Sequence, residues 1–292
     1  MNATTLFQKM NNDIIITTAE SKHTDGIKKL WETVFGDSDQ YISLFIEQRF
    51  EPSQCVVALD KESVVAMLFL LPFVLKQADV DYAGRYIYAV ATHPDYRKCG
   101  ISTALLDFAH KKAKSEGAAL SALVPASESL FDYYAARGFS TEFYKKEVTL
   151  YPQYAGECKL TVAKLQDMID LRRSSFKDSK AFVDWDEKAL CHQQNENALL
   201  GGETLYFTEP DKGYALCLPI DDGVFIREWS GKNFYTNVIS AIASRYKTKK
   251  VLIRLAADQN DADAIPFAMT KWYISERKAQ RGAPAMISLV LD

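Results

Sequence analysis

Arg97, Lys98, Gly100 and Ser102 crowd into one short stretch of "HPDYRKCGISTALLDFAHKK", His93 to Lys112. A Pro-Asp turn leads into them, and the residues that follow have the apolar spacing of a helix. The first turn of a helix carries amide N–H groups without intrahelical acceptors and a partial positive charge, so it favours anions such as a pyrophosphate. Gly100 lets a ligand approach the backbone because no Cβ intervenes. Ser102 is small and adds a hydroxyl donor, while Arg97 and Lys98 add charge. The same residues also suit a plain helix entry, and one R-x-x-G-x-S does not choose between the two. The spacing matches neither a Walker A loop, G-x-x-x-x-G-K-[ST], nor a Rossmann G-x-G-x-x-G. Cys99 lies within the loop, where a helix N-terminus can lower a thiol pKa. Its amide, not its sulfur, is the group expected to matter.

Such a loop needs a strand ending before it and a helix starting after it, and the surrounding sequence supplies both. "DIIITT" (Asp13–Thr18) reads as a strand; Thr24 caps a helix through "DGIKKLWETVF" that Gly36 stops. "SDQYISLFIEQRF" reads as a second amphipathic helix, and "QCVVALD" with "SVVAMLFLL" as a hairpin turning at Lys61-Glu62. "RYIYAVAT" is the strand that ends at Thr92. From Ser102 the residues Leu105, Leu106, Ala109 and Ala113 recur at helical spacing, as far as Gly117. "ALSALVPA" is the next strand, Ser127 opens the helix "SESLFDYYAAR", which Gly138 closes, and "STEFYKKEVTLY" is a last long strand. Pro152–Glu157 reads as a boundary, after which the order repeats faintly. "CKLTVAKLQDMIDLRRSSF" is strand then helix, "YALCLPIDDGVFIREWS" a hairpin, "NFYTNVISAIASRYK" a helix and "KVLIRLAAD" a strand. "IPFAMTKWYI" and "AMISLVLD" are expected as the last helix and strand. The pattern is that of a diverged duplication, α+β in class, with helices flanking mixed, mostly antiparallel sheets in three layers.

Composition narrows the functional classes. A chain of 292 residues, 48% hydrophobic and 25% charged, suits two domains of ordinary size. A net charge of −3 argues against a generic nucleic-acid binder. The apolar run Val64–Leu75 is interrupted by Pro72 and is far shorter than the ~20 residues a membrane helix needs, so a buried strand pair, or a strand and bend, is expected there. The N-terminal stretch has no basic start followed by an apolar segment, so no signal peptide is expected. The 5 cysteines, Cys55, Cys99, Cys158, Cys191 and Cys217, form no CxxC pair. Free thiols in a reducing cytoplasm, no disulfide scaffold and no metal are therefore expected.

Two further matches give the loop a context. "YAVATHPDYRKCGISTALL" resembles the acyl-CoA loop of the GCN5-related N-acetyltransferases, including the run-up V-x-x-P-x-x-R-x-x-G to the signature R/Q-x-x-G-x-G/A. One strand downstream, "SLFDYYAARGF" (Ser129–Phe139) is similar to that family's A-x-x-F-Y-x-x-x-G-F motif. Two departures stand out: Ser102 replaces the second glycine or alanine, and Ser127 replaces an asparagine that often opens the later helix. The resemblance implies that backbone groups of Val90, Ala91 and Thr92 pair with the pantetheine arm of acetyl-CoA as if it were an added strand. It implies a pyrophosphate cradle built from Arg97, Lys98, Cys99, Gly100, Ile101, Ser102 and Thr103, with Ser127 beside the cofactor. A splayed strand edge at Ala91 would steady the thioester oxygen as an amine attacks. Counting back from Gly138-Phe139, Tyr134 takes the family's catalytic position, and a phenol can protonate the departing thiolate. Tyr133 points about 100° away on the same helix, so only one of the pair can face the cofactor. His93 is read as a turn residue, and Asp79, Asp81 and Glu142 remain open as bases.

The implied domains are an acyl-CoA-binding N-terminal domain, 1–151, and a degenerate copy, 152–292. The matching loop of the second copy, "REWSGKNF" (Arg227–Phe234), lacks the spacing. This tandem layout is loosely similar to acetyltransferases of the enhanced-intracellular-survival type, without their sterol-carrier-like domain; a role for the Asp292 carboxylate would follow only by that analogy. The leading expectation is a cytoplasmic acetyl-CoA-dependent N-acyltransferase acting on a small-molecule or peptide amine through a ternary complex, with no nucleic-acid or membrane partner. A CoA-responsive binding or regulatory protein with weak or lost catalysis is the alternative. An aminoacyl-transferring relative using charged tRNA is disfavoured by the net charge.

Overall fold

The computed structural model describes residues 14–77, 79–153, 158–231, 233–275 and 284–288. Asp13, part of the expected boundary at 154–157, Lys232 and the end of "AMISLVLD" with Asp292 lie outside the described residues. The elements run β1 (Ile14–Thr18), α1 (Thr24–Phe35), α2 (Asp39–Gln48), β2 (Cys55–Asp60), β3 (Ser63–Gln77), β4 (Val80–Thr92), α3 (Ile101–Ser115) and β5 (Leu120–Leu123). Next come α4 (Ser129–Ala135), β6 (Ser140–Leu150), β7 (Thr161–Val162), α5 (Leu165–Phe176), β8 (Phe182–Asp184) and α6 (Glu187–Leu199). The chain continues with β9 (Glu203–Phe207), β10 (Gly213–Ile220), β11 (Gly223–Trp229), α7 (Thr236–Arg245), β12 (Val251–Ala257) and β13 (Ile265–Trp272). The fold is α+β, mostly antiparallel sheet flanked by helices. No described helix is long and apolar enough to cross a membrane.

The chain packs as two compact units. The first takes the described residues up to Phe73, Ala83–Leu123 and Lys271–Ser275. Its strands follow the order β1-β2-β3-β4-β5, antiparallel from β1 to β3, with β4 and β5 parallel and joined through α3. Helices α1 and α2 dock through an aromatic cluster: Trp31 lies 4.9 Å from Phe45 and 5.6 Å from both Phe69 and Tyr88, ring centre to ring centre. Helix α3 buries Leu105, Leu106, Ala109 and Ala113, the stripe its sequence spacing predicts, and packs on β1, β2 and β5.

The second unit takes Val74–Tyr82, Val124–Thr270 and the described residues after Ser275. Its strands run β13-β6-β12-β11-β10-β9-β7, with β8 paired to the end of β3. Helix α7 buries Val238, Ile239 and Ile242 against Leu205, Phe207, Ala215, Ile226 and Ile253. Here too three antiparallel strands lead into a parallel pair joined by a helix: β9-β10-β11, then α7, then β12.

Three expectations need correction. Val64–Leu75 is neither a strand pair nor a strand and bend but part of a single strand, β3, that continues through Pro72. "IPFAMTKWYI" is β13, not a helix, because Ile265–Thr270 pair with Lys145–Ser140 of β6 and bury Phe267–Thr270. Aromatic content and strand pairing outweigh a weak helical pattern. In "AMISLVLD" the described residues Ala285–Ser288 form one bridge, Phe182↔Met286, not a strand. The packing units also cut the chain differently from a division at 151. Strand β6, expected to complete the first domain, pairs with β12 along its length, from Leu150↔Val251 to Tyr144↔Ala257. In return the chain after β13 joins the first unit, where the Tyr273 N–H donates to the Ala119 carbonyl at 2.8 Å.

Candidate active site

The strand that leads into the loop breaks its regular extended backbone before its end. β4 and β5 pair in parallel from Gly84↔Leu120 to Tyr86↔Ala122. Three residues further along β4, Ala89 takes a left-handed φ of 48°. A single left-handed residue inside a strand re-aims it, as a bulge does, and costs roughly 1–2 kcal/mol for a non-glycine residue. Val90, Ala91 and Thr92 therefore extend beyond the paired portion of the strands. Ala91 is buried, and Val90 and Thr92 are half-buried. The β3 side of this tip is fixed by the His93 N–H, which donates to the Val65 carbonyl at 2.8 Å.

The loop itself is held at several points. Pro94–Tyr96 form a 3-10 turn, and His93 caps it by accepting the Asp95 N–H at its Nδ1, 3.4 Å away. The Tyr96 hydroxyl donates to Asp60 Oδ2 at 2.6 Å, tying the turn to the end of β2; this bond raises the Tyr96 pKa. The Arg97 Nε donates to the Thr92 carbonyl at 3.1 Å. The Cys99 thiol turns back to the Arg97 carbonyl at 3.3 Å, consistent with a bystander sulfur.

Two residues of the loop are left-handed, Lys98 at φ 62° and Gly100 at φ 78°. Gly100 is the N-cap of α3, and its carbonyl accepts the first helical bond from the Ala104 N–H at 3.0 Å. A Cβ built at Gly100 would meet nothing within 4 Å, so the side from which a ligand would approach is open. Alternating backbone of this kind turns amides inward as an anion nest at a helix N-terminus. Arg97 and Lys98 are exposed, Cys99, Ser102 and Thr103 half-buried, and Ile101 buried as the anchor of the first turn. These residues suit a pyrophosphate, and all belong to one compact unit.

Tyr134 and Ser127 belong to the other unit. On α4 the Tyr134 side chain is buried, its ring edge-on to Phe139 at 5.7 Å and to Tyr133 at 5.2 Å. Burial, then the neighbouring Tyr133, push its pKa up to about 12. Tyr133 is differently placed: the Arg137 guanidinium sits 3.5 Å over its ring. The exposed Ser127 hydroxyl pairs with Ser129 at 3.1 Å. Asp81 is engaged by Lys76 at 2.8 Å, which weakens its case as a base.

The second loop has no such form. Among the described residues between β11 and α7 none is left-handed, and a Cβ at Gly231 would lie 2.7 Å from the Trp229 indole. The indole stacks on Phe207 at 5.0 Å and lies tight against Gly231. What sequence reasoning missed is a buried polar cluster in this unit. Glu228, wholly buried, accepts from Arg172 Nε at 3.2 Å and from the hydroxyls of Tyr214 and Ser288. Arg172 gives its NH1 to the Val183 carbonyl at 2.7 Å. These partners are far apart in sequence and no motif links them. Among the described residues no group of three or more His, Cys, Asp or Glu side chains could hold a metal ion.

Comparison with known proteins agrees with this geometry. Residues 16–141 match the family model described as acetyltransferase (GNAT) domain. No curated protein is significantly similar in sequence. Among solved structures, a probable N-acyltransferase from Enterococcus faecalis V583 superposes with a TM-score of 0.71 at 16% identity, over 89% of this chain and 72% of its own. A GCN5-related N-acetyltransferase from Anabaena variabilis gives 0.71 at 16% identity, over 88% and 72%. Eis1 from Mycobacterium abscessus gives 0.64 at 9% identity, over 89% and 73%. At these identities the structures speak for the fold, and the family model speaks for the domain. Residues 16–141 of this chain are thus similar to an acetyltransferase domain of the GNAT family, and the solved structures share the fold.

Proposed function

We propose that the protein is an acetyl-CoA-dependent N-acyltransferase with an active first copy, residues 1–151, and a second copy, 152–292, that has lost cofactor binding. The observation that carries this reading is the left-handed pair Lys98 and Gly100 at the mouth of α3, with an open Cβ side at Gly100. Acetyl-CoA would supply an acyl thioester open to attack by an amine. The amides from Lys98 through Thr103 would hold the pyrophosphate, with Arg97 and Lys98 adding charge. Val90, Ala91 and Thr92, past the last β4–β5 pair, would orient the pantetheine arm along the strand, and Ser127 would lie beside it. The Arg97–Thr92 bond keeps the strand tip and the loop in register with each other. The Tyr134 hydroxyl would keep its proton at neutral pH and deliver it to the departing sulfur, and the proton lost by the attacking amine would return through solvent to the phenolate. The acceptor is a small-molecule or peptide amine.

A thiol-release assay with acetyl-CoA over a panel of amines tests this. At least one amine should raise turnover above hydrolysis, and Gly100→Asp should abolish acetyl-CoA binding. Acetyl-CoA binding without any amine-dependent turnover would make the protein a CoA-binding module instead.

A further inference from the structure

In the second copy, β11 and β12 pair in parallel from Val224↔Val251 to Ile226↔Ile253 and no further in register. The first copy has the same three-residue pairing, Gly84↔Leu120 to Tyr86↔Ala122, before its strands part. Residues just past the last β11–β12 pair, Glu228 and Ala256, are in contact with a later part of the chain itself. Ala285–Ser288 are all buried, between 3% and 8% exposed. The Ser288 hydroxyl donates to Glu228 on β11, and Met286 packs with Phe176, Phe182 and Ala256, the last on β12. The segment is held by its main chain as a strand would be. The Met286 N–H donates to the Ala181 carbonyl at 2.8 Å, and the Met286 carbonyl accepts from the Val183 N–H at 2.9 Å. The Trp185 Nε1 closes on the Ser288 carbonyl at 2.8 Å.

We infer that the opening between β11 and β12 has become a peptide-binding site, filled in cis by Ala285–Ser288 at the place that corresponds to the acyl-donor cleft of the first copy. Its ligand class is an extended peptide with an apolar residue followed two positions later by a hydroxyl residue. Main-chain pairing with β8 supplies affinity, and the Met286 pocket and Glu228 supply selectivity, the division of labour of strand addition. Glu228 is wholly buried, and the Ser288 hydroxyl is one of the donors that satisfy it, so the segment is a built part of the site and not a loose cover. The correspondence to a cofactor cleft rests on the tandem reading above; the peptide site itself does not.

The test uses a fluorescein-labelled peptide of residues 284–292, the full chain, and the chain lacking those residues. The shortened chain should bind the peptide, and the full chain should bind it at least about tenfold more weakly because its site is filled. A peptide carrying Met286→Asp should lose at least about tenfold in affinity, since a buried methionine is worth more than one decade. Equal binding by both chains, or by both peptides, would overturn the proposal. Should the shortened chain fail to fold, hydrogen exchange on the intact protein decides: a Met286 amide that exchanges at the free-peptide rate overturns it. Calorimetry of the full chain with acetyl-CoA should give one equivalent, and two would overturn the cis-occupied cleft. No uptake at all would sink the acyl-transfer reading while leaving the peptide arms to stand or fall separately.

Discussion

In the proposed reaction, Tyr134 and Gly100 are where single atoms should matter most. A phenol with a pKa near 12 is protonated across the physiological range, so as an acid it sets no alkaline limb below about pH 10. Tyr134→Phe removes the proton while keeping the ring against Phe139. It should lower kcat by about 10²-fold or more with little change in acetyl-CoA affinity, read by steady-state kinetics beside calorimetry. Tyr133→Phe should leave kcat near wild type, since Arg137 covers that ring. At Gly100 the backbone, not space, limits substitution: φ is 78° and nothing lies within 4 Å of an added Cβ. Gly100→Ala should therefore cost only about 1–2 kcal/mol of strain and weaken acetyl-CoA moderately. Gly100→Asp adds a negative charge to the proposed pyrophosphate cradle and should abolish binding.

Between elements, the contact with the clearest pH signature is at α3, β5 and the chain just past β13. The Tyr273 hydroxyl meets His110 Nδ1 at 2.9 Å and the Ser121 hydroxyl at 2.6 Å. Burial, then nearby Lys271, lower the His110 pKa to about 4 against a modest opposing pull from Asp107. The folded state thus holds the imidazole neutral where the unfolded chain would protonate it. Between pH 6.5 and 4 the unfolded state binds more protons, so stability is fully present above pH 6.5 and is lost as pH falls. The loss should reach on the order of 3 kcal/mol at most, and His110→Phe should flatten that part of the curve in urea titrations at a series of pH values. Most elements of the first half were legible in the sequence because each is locally consistent: Gly36 stops α1, the α3 stripe repeats at helical spacing, and Gly138 ends the α4 segment. β13 was not legible, because its strand state is set by β6, more than a hundred residues earlier, and not by its own pattern.

For the molecule as a whole, the cluster around Glu228 is the most exposed to a single change. Arg172 and Glu228 are fully buried, and removing one partner strands the other charge away from water. Arg172→Met or Glu228→Gln should cost about 3–5 kcal/mol, measured by denaturant unfolding. The double variant Arg172→Met with Glu228→Leu should recover part of that loss, because an apolar pair carries no buried charge. The raised Tyr214 pKa, caused by burial and by Glu228, keeps its hydroxyl a donor in this cluster throughout.

The sequence by itself determined the loop and its neighbours: "THPDYRKCGIS" between a strand and a helix, and "DYYAARGF" one strand later, are local patterns whose spacing carries the family resemblance. Helical geometry set Tyr133 and Tyr134 about 100° apart, and the resemblance alone singled out Tyr134 as the acid, while only the fold shows that one ring is buried and the other lies under Arg137. Tertiary structure alone decided that β6 pairs with β12, that the Trp229 indole packs against Gly231, and that Ala285–Ser288 are buried beside Phe182 and Glu228. The first and last of these depend on which distant segments meet, and strand pairing between remote segments leaves almost no trace in the local periodicity of either one.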